Sequence, residues 1–265
     1  MGRGDARVIP VALTAAGSDS GGGAGIQADL KTFAALGVWG TCAITAITAQ
    51  NTQGVRRVDP VAPEAVAAQI AAVREDFDVA VVKIGMLASP EIAAAVAQAL
   101  EGARFIVYDP VMVASSGDAL AGAGFAEAAK ALFARVDLVT PNLAEAARFL
   151  SAEPARSEAE MAAQGRGLLA LGARAVLMKG GHLAGKPVDL LVTPQGVRRF
   201  AGPRVESRNL HGTGCVLSSA IAAHVALGRD LVDAVDRAKA FTRRAIENGR
   251  DLALGKGPGP LAPAP

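Results

Sequence analysis

The residues best suited to chemistry in this chain lie in "RNLHGTGCVLSSAIAA", residues 208–223, where a glycine-framed loop runs into a cysteine and small helix formers. Gly212, Thr213 and Gly214 stand at the start of the helix. Backbone N–H groups lack partners there, and the helix dipole favours an anion. Phosphoryl transfer needs such donors, because negative charge spreads over the moving oxygens. The same field lowers a thiol's pKa, so Cys215 is placed to take a proton from an attacking hydroxyl. A cysteine in an alanine-rich helix is, taken alone, more often a small buried apolar residue. His211 reads as a ligand or base, or equally as a capping or core residue, and His182 and His224 carry no metal spacing.

Other charged and amide side chains punctuate the ends of apolar runs. Asp109 in "VYDPVM" and Lys179 in "LMKGGH" each close a strand-like segment, and a charge there is uncommon without a partner or ligand. Lys179 reads as a phosphate contact or as a solvated strand-end lysine. In "TPNLAEA", Asn142 and Glu145 are three residues apart at a helix start. That spacing serves Mg²⁺ held through water or a capping box, and the two are compatible. The segment "GSDSGGGAGIQAD" (17–29) contains Gly23-Ala-Gly25-Ile-Gln-Ala28, the GxGxxA dinucleotide spacing. The next strand ends in Gln50-Asn51, without the carboxylate that would hold a ribose. No GK[ST] follows either, so this is not a Walker loop. What remains is a stretch of sterically open amides bracketed by Asp19 and Asp29.

These residues must be positioned by the elements between them. Apolar runs at 8–17, 41–50, 79–85, 103–111, 136–142 and 173–181 read as buried strands. Helical patterns occupy 24–37, 63–76, 90–101, 122–135, 142–150, 157–171, 213–227 and 230–250. Continuous apolar strands alternating with helices predict a mostly parallel sheet covered on both faces. The stretch 186–203 breaks the rhythm with two runs around "TPQG", predicting a hairpin at an antiparallel edge. One domain spanning 1–265 is expected, with loose tails at 1–7 and 258–265 and a mobile flap at 114–122. In such sheets ligands bind beyond the carboxyl ends of the strands. Gly17 to Gly25, Gln50, Asn51, Gly85, Asp109, Asn142 and Lys179 to His182 all fall at those ends.

Composition narrows the classes of function. With 51% hydrophobic residues the chain can build a core, and a net charge of +2 with 4% aromatics offers no nucleic-acid footprint. Cys42 and Cys215 stand far apart and form neither a zinc spacing nor a disulfide framework. No signal peptide or membrane-length apolar run is seen, so a cytoplasmic protein is expected.

Taken together, "AGSDSGGGAGIQADLKTF", "ITAQNTQGV", "KIGML", "YDPVM", "SSGDAL", "TPNLAEA", "MKGGH" and "HGTGC" resemble the hydroxymethylpyrimidine/phosphomethylpyrimidine kinases, within the ribokinase-like superfamily. The resemblance spans nearly the whole chain. It implies a three-layer α/β/α fold, a homodimer, no membrane or nucleic-acid partner, and ATP with Mg²⁺ as cofactors. It implies phosphorylation of a small pyrimidine in thiamine biosynthesis, with a vitamin B6 kinase as the alternative. By the same resemblance Cys215 takes the base position, with Thr213 and Gly214 around the phosphate. Asn142 and Lys179 would serve the nucleotide, and Glu145 and Asp109 the metal. Gln50 would pair with the pyrimidine edge, where an amide offers both donor and acceptor. Gly17, Asp29 and Met86 match other parts of that pocket.

Overall fold

The computed structural model describes residues 8–113, 117–118, 120, 124–181, 183 and 187–264. Among the described residues nine strands form one sheet in the order β3-β2-β1-β4-β5-β6-β7-β8-β9. The strands are β1 (Val11–Asp19), β2 (Trp39–Asn51), β3 (Gly54–Pro60), β4 (Val79–Ile84), β5 (Ile106–Tyr108), β6 (Leu138–Val139), β7 (Val176–Lys179), β8 (Val188–Thr193) and β9 (Gly196–Ala201). Pairings from β2 through β1 and on to β7 are parallel. The outer pairs β2–β3, β7–β8 and β8–β9 are antiparallel.

Helices cover both faces, because side chains alternate along each strand. On one face α1 (Gly25–Ala35), α7 (Thr213–Ala226) and α8 (Leu231–Gly249) pack over Ala12, Val81, Val107, Leu138 and Leu177. On the other, α2 (Pro63–Asp76), α3 (Pro90–Ala99), α4 (Phe125–Phe133), α5 (Leu143–Leu150) and α6 (Glu158–Leu169) cover Leu13, Val82, Tyr108, Val139 and Met178. Helix α7 is buried on every side from Val216 to Ala223, which explains its unbroken run of small and apolar residues. The expected three-layer α/β/α architecture is met. Two details differ. An antiparallel strand also flanks the β2 side, where "VRRVDP" of β3 is half-exposed and lacks the apolar run of a buried strand.

The far carboxyl end is the second difference. Pro260 pairs with His211 in an isolated bridge, and the Gly259 amide donates to Asn209 Oδ1 at 2.8 Å. Ala262 donates to the Ala245 carbonyl at 3.0 Å, and Leu261 is buried. The glycines and prolines of this tail suit close passage past other backbone, which composition alone made look like slack. The expected tail at 1–7 lies outside the described residues, as does most of the expected flap at 114–122. Within that flap Asp118 Oδ2 accepts the Val55 amide at 3.0 Å.

Because β2 and β3 lie to one side of β1 and the chain then continues on the other, the sheet order turns at β1 and β4. In open α/β sheets a crevice forms at such a point, beyond the carboxyl ends of the strands.

Candidate active site

The carboxyl ends of β1, β4, β5, β6 and β7 meet the front of α7. At that front Gly212 is the N-cap, with φ +88°, and a Cβ there would lie 1.9 Å from the Gly23 carbonyl oxygen. Only glycine tolerates both the left-handed backbone and that approach. Thr213 turns inward: its hydroxyl donates to the Leu210 carbonyl at 2.7 Å and its amide to the same oxygen at 3.3 Å. The Thr213 amide is thus engaged within the turn that precedes the helix. The first helical bond runs from Val216 to the Gly212 carbonyl at 2.9 Å, which leaves the Gly214 and Cys215 amides as the outward donors of this helix end.

Facing Gly214 is a charged cluster. A Cβ on Gly214 would stand 3.3 Å from both Asp109 Oδ2 and Lys179 Nζ, so the missing side chain opens the space between them. Asp109 is wholly buried. Its Oδ1 accepts from Lys179 Nζ at 2.7 Å and from Thr140 Oγ1 at 3.2 Å, and its Oδ2 from Ser218 Oγ at 3.3 Å. Lys179 Nζ also lies 3.9 Å from Glu145 Oε2. Burial opposes the charge of Lys179, but Asp109 and Glu145 more than offset it and its pKa is raised. Burial pushes the Glu145 carboxyl up to about 7, opposed by Lys179 and assisted by the like charge of Asp109.

Asn142 and Glu145 form the capping box. Asn142 Oδ1 accepts the Glu145 amide at 2.9 Å, and Glu145 Oε2 accepts the Asn142 amide at 2.7 Å. Glu145 is thereby aimed at Lys179 by the same bonds that start α5. Among the described residues no group of three His, Cys, Asp or Glu side chains is arranged as a metal cage. Two carboxylates around one lysine nevertheless suit Mg²⁺, which keeps several waters and binds through one or two carboxylates plus substrate phosphates.

The glycine loop and the segment before α7 form a second wall. Asp19 caps the glycine loop, accepting from the amides of Gly21, Gly23 and Ala24 at 2.8, 3.1 and 2.9 Å. His211 Nε2 sits 2.8 Å from Asp19 Oδ2, which ties the loop to the segment before α7. Burial works to raise the Asp19 carboxyl, but the His211 contact and the backbone amides hold it below the usual range. Gln50 is locked to the same loop through Ser20, its amide N–H donating to Ser20 Oγ at 2.8 Å. Its side-chain Nε2 lies 3.3 Å from His211 Nε2. Gly17 and Met86 are neighbours, since a Cβ on Gly17 would stand 2.9 Å from Met86 Sδ. The structure thus brings together Gln50, Gly17, Met86, Gly212, Gly214, Cys215, Asp109, Asn142, Glu145 and Lys179.

Asp29 is the exception. Instead of facing the pocket it is wholly buried behind it, accepting from Thr14 Oγ1 at 2.6 Å, Ser219 Oγ at 2.7 Å and Lys83 Nζ at 2.9 and 2.8 Å. Its carboxylate is saturated and cannot reach a substrate. Its position in α1 fits this: Asp29 lies on the buried stripe with Ile26, Thr32 and Phe33. Cys215 also departs from expectation. The residue is partly exposed, yet burial around its sulfur pushes the thiol up to about 11 instead of lowering it. Lys83 and the Gly25 amide pull the other way, while Asp29 and Asp109 add to the rise. Burial outweighs the helix-end field that the motif alone suggested.

No motif in the sequence marks Lys83, Ser218 or Ser219. The signal for Lys83 was a lysine inside the apolar strand "VAVVKIG", where only a buried partner makes sense. Two surface clefts of about 170 and 240 Å³, lined by residues such as Arg74, Phe77, Arg104 and Arg135, lie at the opposite, amino end of the sheet. They hold none of this chemistry.

Comparison with known proteins agrees with this geometry. Residues 19–262 match the family model for phosphomethylpyrimidine kinase. A hydroxymethylpyrimidine/phosphomethylpyrimidine kinase of Rhizobium meliloti is 52% identical over 255 residues, covering 95% of this chain and 96% of the relative. The crystal structure of a phosphomethylpyrimidine kinase from Clostridium difficile superposes with TM-score 0.79 at 40% identity, covering 90% of this chain and 100% of that one. A pyridoxal kinase from Staphylococcus aureus, solved with AMP-PCP and pyridoxal, superposes with TM-score 0.86 at 32% identity over 96% of this chain and 93% of that one. The match of residues 19–262 and the 52% identity over nearly the full length of both chains show that this chain belongs to the phosphomethylpyrimidine kinase family.

Proposed function

We propose that the chain uses ATP to phosphorylate 4-amino-5-hydroxymethyl-2-methylpyrimidine to its monophosphate, and then the monophosphate to the diphosphate, for thiamine synthesis. The observation that carries the reading is the meeting of Gly214, Lys179, Asp109 and Cys215 at one end of the sheet, beside Gln50. The relatives' printed activity supplies the acceptor class.

In this reading the γ-phosphate of ATP lies in front of the Gly214 and Cys215 amides, which hold the charge of the transferring group. Lys179 contacts the phosphates, and Asn142 serves the nucleotide side while capping α5. Glu145 and Asp109 would hold Mg²⁺ through its water shell, and the ion would supply positive charge between the phosphate oxygens. Gln50 reads the edge of the pyrimidine, with Gly17 and Met86 beside it. Cys215 as a thiolate takes the proton of the hydroxymethyl oxygen. That oxygen forms its bond to the γ-phosphorus while the bond to the ADP oxygen breaks. The second acceptor is a phosphate monoester, largely ionised above its second pKa of about 6, so it needs no comparable base. A homodimer and a cytoplasmic location complete the reading. Among the described residues no helix is long and apolar enough to cross a membrane.

An assay of ADP release with hydroxymethylpyrimidine, with pyridoxal and with no acceptor tests this reading. Turnover with the pyrimidine is expected to exceed that with pyridoxal by at least ~10-fold in kcat/KM, the ratio a single hydrogen bond of about 1.4 kcal/mol provides. Faster turnover of pyridoxal would overturn the pyrimidine as the preferred acceptor, and ADP release at the same rate with and without either acceptor would overturn both.

A further inference from the structure

The direction in which the Gln50 side chain faces follows from counting protons around it. Asp19 accepts the amides of Gly21, Gly23 and Ala24, so it stands as an acceptor-only carboxylate. His211 Nε2, 2.8 Å from Asp19 Oδ2, therefore carries a proton; a bare ring nitrogen would set lone pair against lone pair. The imidazole is held in place, since a Cβ on Gly23 would lie 2.5 Å from His211 Cδ2 and 2.9 Å from Pro260 Cβ. Thr48 is equally committed. Its hydroxyl has one proton, and the Ser18 carbonyl at 2.9 Å takes it, which leaves Oγ1 as an acceptor towards Gln50. Gln50 Nε2 lies 3.3 Å from His211 Nε2, and Gln50 Oε1 lies 3.3 Å from Thr48 Oγ1. In that direction a donor meets a donor and an acceptor meets an acceptor. Half a turn of the amide mends both contacts: Oε1 then accepts from His211 Nε2–H, and the amide nitrogen donates to Thr48 Oγ1.

We propose that His211, held by Asp19, determines acceptor specificity: together with Thr48 it fixes the Gln50 amide with its oxygen on the His211 side and its nitrogen on the Thr48 side, which selects a 4-aminopyrimidine over its 4-oxo counterpart. The proposal rests on the reading of Gln50 as the group that pairs with the pyrimidine edge. A primary amide has two N–H bonds and two lone pairs on oxygen. Once Thr48 and His211 are satisfied, one N–H and one lone pair remain side by side. A 4-aminopyrimidine offers the complement, because its amino group donates and the adjacent ring nitrogen accepts. In the 4-oxo ring the order is reversed: the ring nitrogen carries the hydrogen and the exocyclic oxygen accepts. The same order orients the acceptor. The 5-hydroxymethyl group neighbours the amino group, so pairing that amino group with Oε1 turns the hydroxyl towards His211, where the chain leads into α7 and Cys215. His211 and Thr48 act through Gln50 and are positioning residues.

The test compares kcat/KM for two 5-hydroxymethyl-2-methylpyrimidine acceptors, one bearing a 4-amino and the other a 4-oxo group. The parent is expected to prefer the amino acceptor by about 10²-fold, roughly tenfold for each of two mispaired hydrogen bonds. His211→Phe removes the N–H that holds Oε1, and its preference is expected to fall below about tenfold. His211→Gln restores an N–H at a similar reach and is expected to recover most of the preference. Thr48→Val leaves His211 in place and frees the other end of the amide, so it should lower the preference as well. It carries the test if the phenylalanine variant does not fold. A general loss of packing would slow both acceptors together and leave their ratio unchanged. A parental ratio in folded His211→Phe or in Thr48→Val overturns the proposal. Gln50→Leu separates this from the reading beneath it. Loss of the preference there, with His211→Phe unchanged, overturns the role of His211 alone. Preference retained in Gln50→Leu overturns the pairing by Gln50 and the proposal with it.

Discussion

Replacing Cys215 with alanine is expected to lower kcat for the first phosphorylation by about 10²- to 10⁴-fold, the usual contribution of a positioned general base. The second phosphorylation is expected to stay within about tenfold of the parent, since the phosphate acceptor is already ionised at neutral pH. The asymmetry is the informative part. Both steps use the same nucleotide, the same helix end and the same lysine, so a general loss of packing would slow them together. Separate steady-state assays with the hydroxymethyl and phosphomethyl acceptors decide between these outcomes. The pH profile sharpens the test. With the thiol pushed up to about 11, the active thiolate is the minor form at neutral pH. First-step kcat/KM should therefore rise about tenfold per pH unit from 7 towards 10, because it reports the free enzyme's essential base. The second step should show no such slope.

Replacing Lys179 with methionine is expected to be still more damaging, because two functions are lost at once. The ammonium is the bonded partner of Asp109 at 2.7 Å and lies 3.9 Å from Glu145. Removing it leaves the buried Asp109 carboxylate without its cation, a loss on the order of 3–5 kcal/mol for a broken buried pair. It also removes a cation from the transferring phosphate, where charged clamps are worth about 10²-fold or more. The variant is therefore expected to melt well below the parent, with kcat lowered and KM for ATP raised. Added Mg²⁺ should raise its melting temperature more than the parent's, since a divalent ion between the carboxylates replaces the lost charge. Equal Mg²⁺ responses in the two proteins would argue against Glu145 and Asp109 as the metal side of the site.

Much of this arrangement was legible in the order of residues, and the exceptions share a cause. Parallel strands were readable because "VAVVKIG" and "VDLVTPN" are buried on both faces and so nearly uniform in character. The charged ends Asp109 and Lys179 stood out against that background, and the sheet brings them to 2.7 Å. The capping box was visible as a spacing because a local helix start needs no distant partner. What sequence could not supply is three-dimensional burial. Asp29 looked like part of a polar loop because the helix face that buries it depends on Thr14, Lys83 and Ser219, all distant in the chain. The thiol of Cys215 looked activated because a helix end is local, whereas the packing that opposes it is not. The glycine- and proline-rich tail looked loose because its bonds to Asn209 and Ala245 cross 50 and 17 residues or so of chain.

Where the transferring group sits relative to α7 decides the mechanism. The most direct measurement is a crystal structure with ADP, Mg²⁺, aluminium fluoride and hydroxymethylpyrimidine, the fluoride standing in for the moving phosphoryl group. The Gly214 and Cys215 amides should then lie about 3 Å from the fluorides, with the hydroxymethyl oxygen within hydrogen-bond reach of Cys215 Sγ. A fluoride held elsewhere, or a hydroxymethyl oxygen turned to Asp109 or to water with the sulfur left aside, would contradict it.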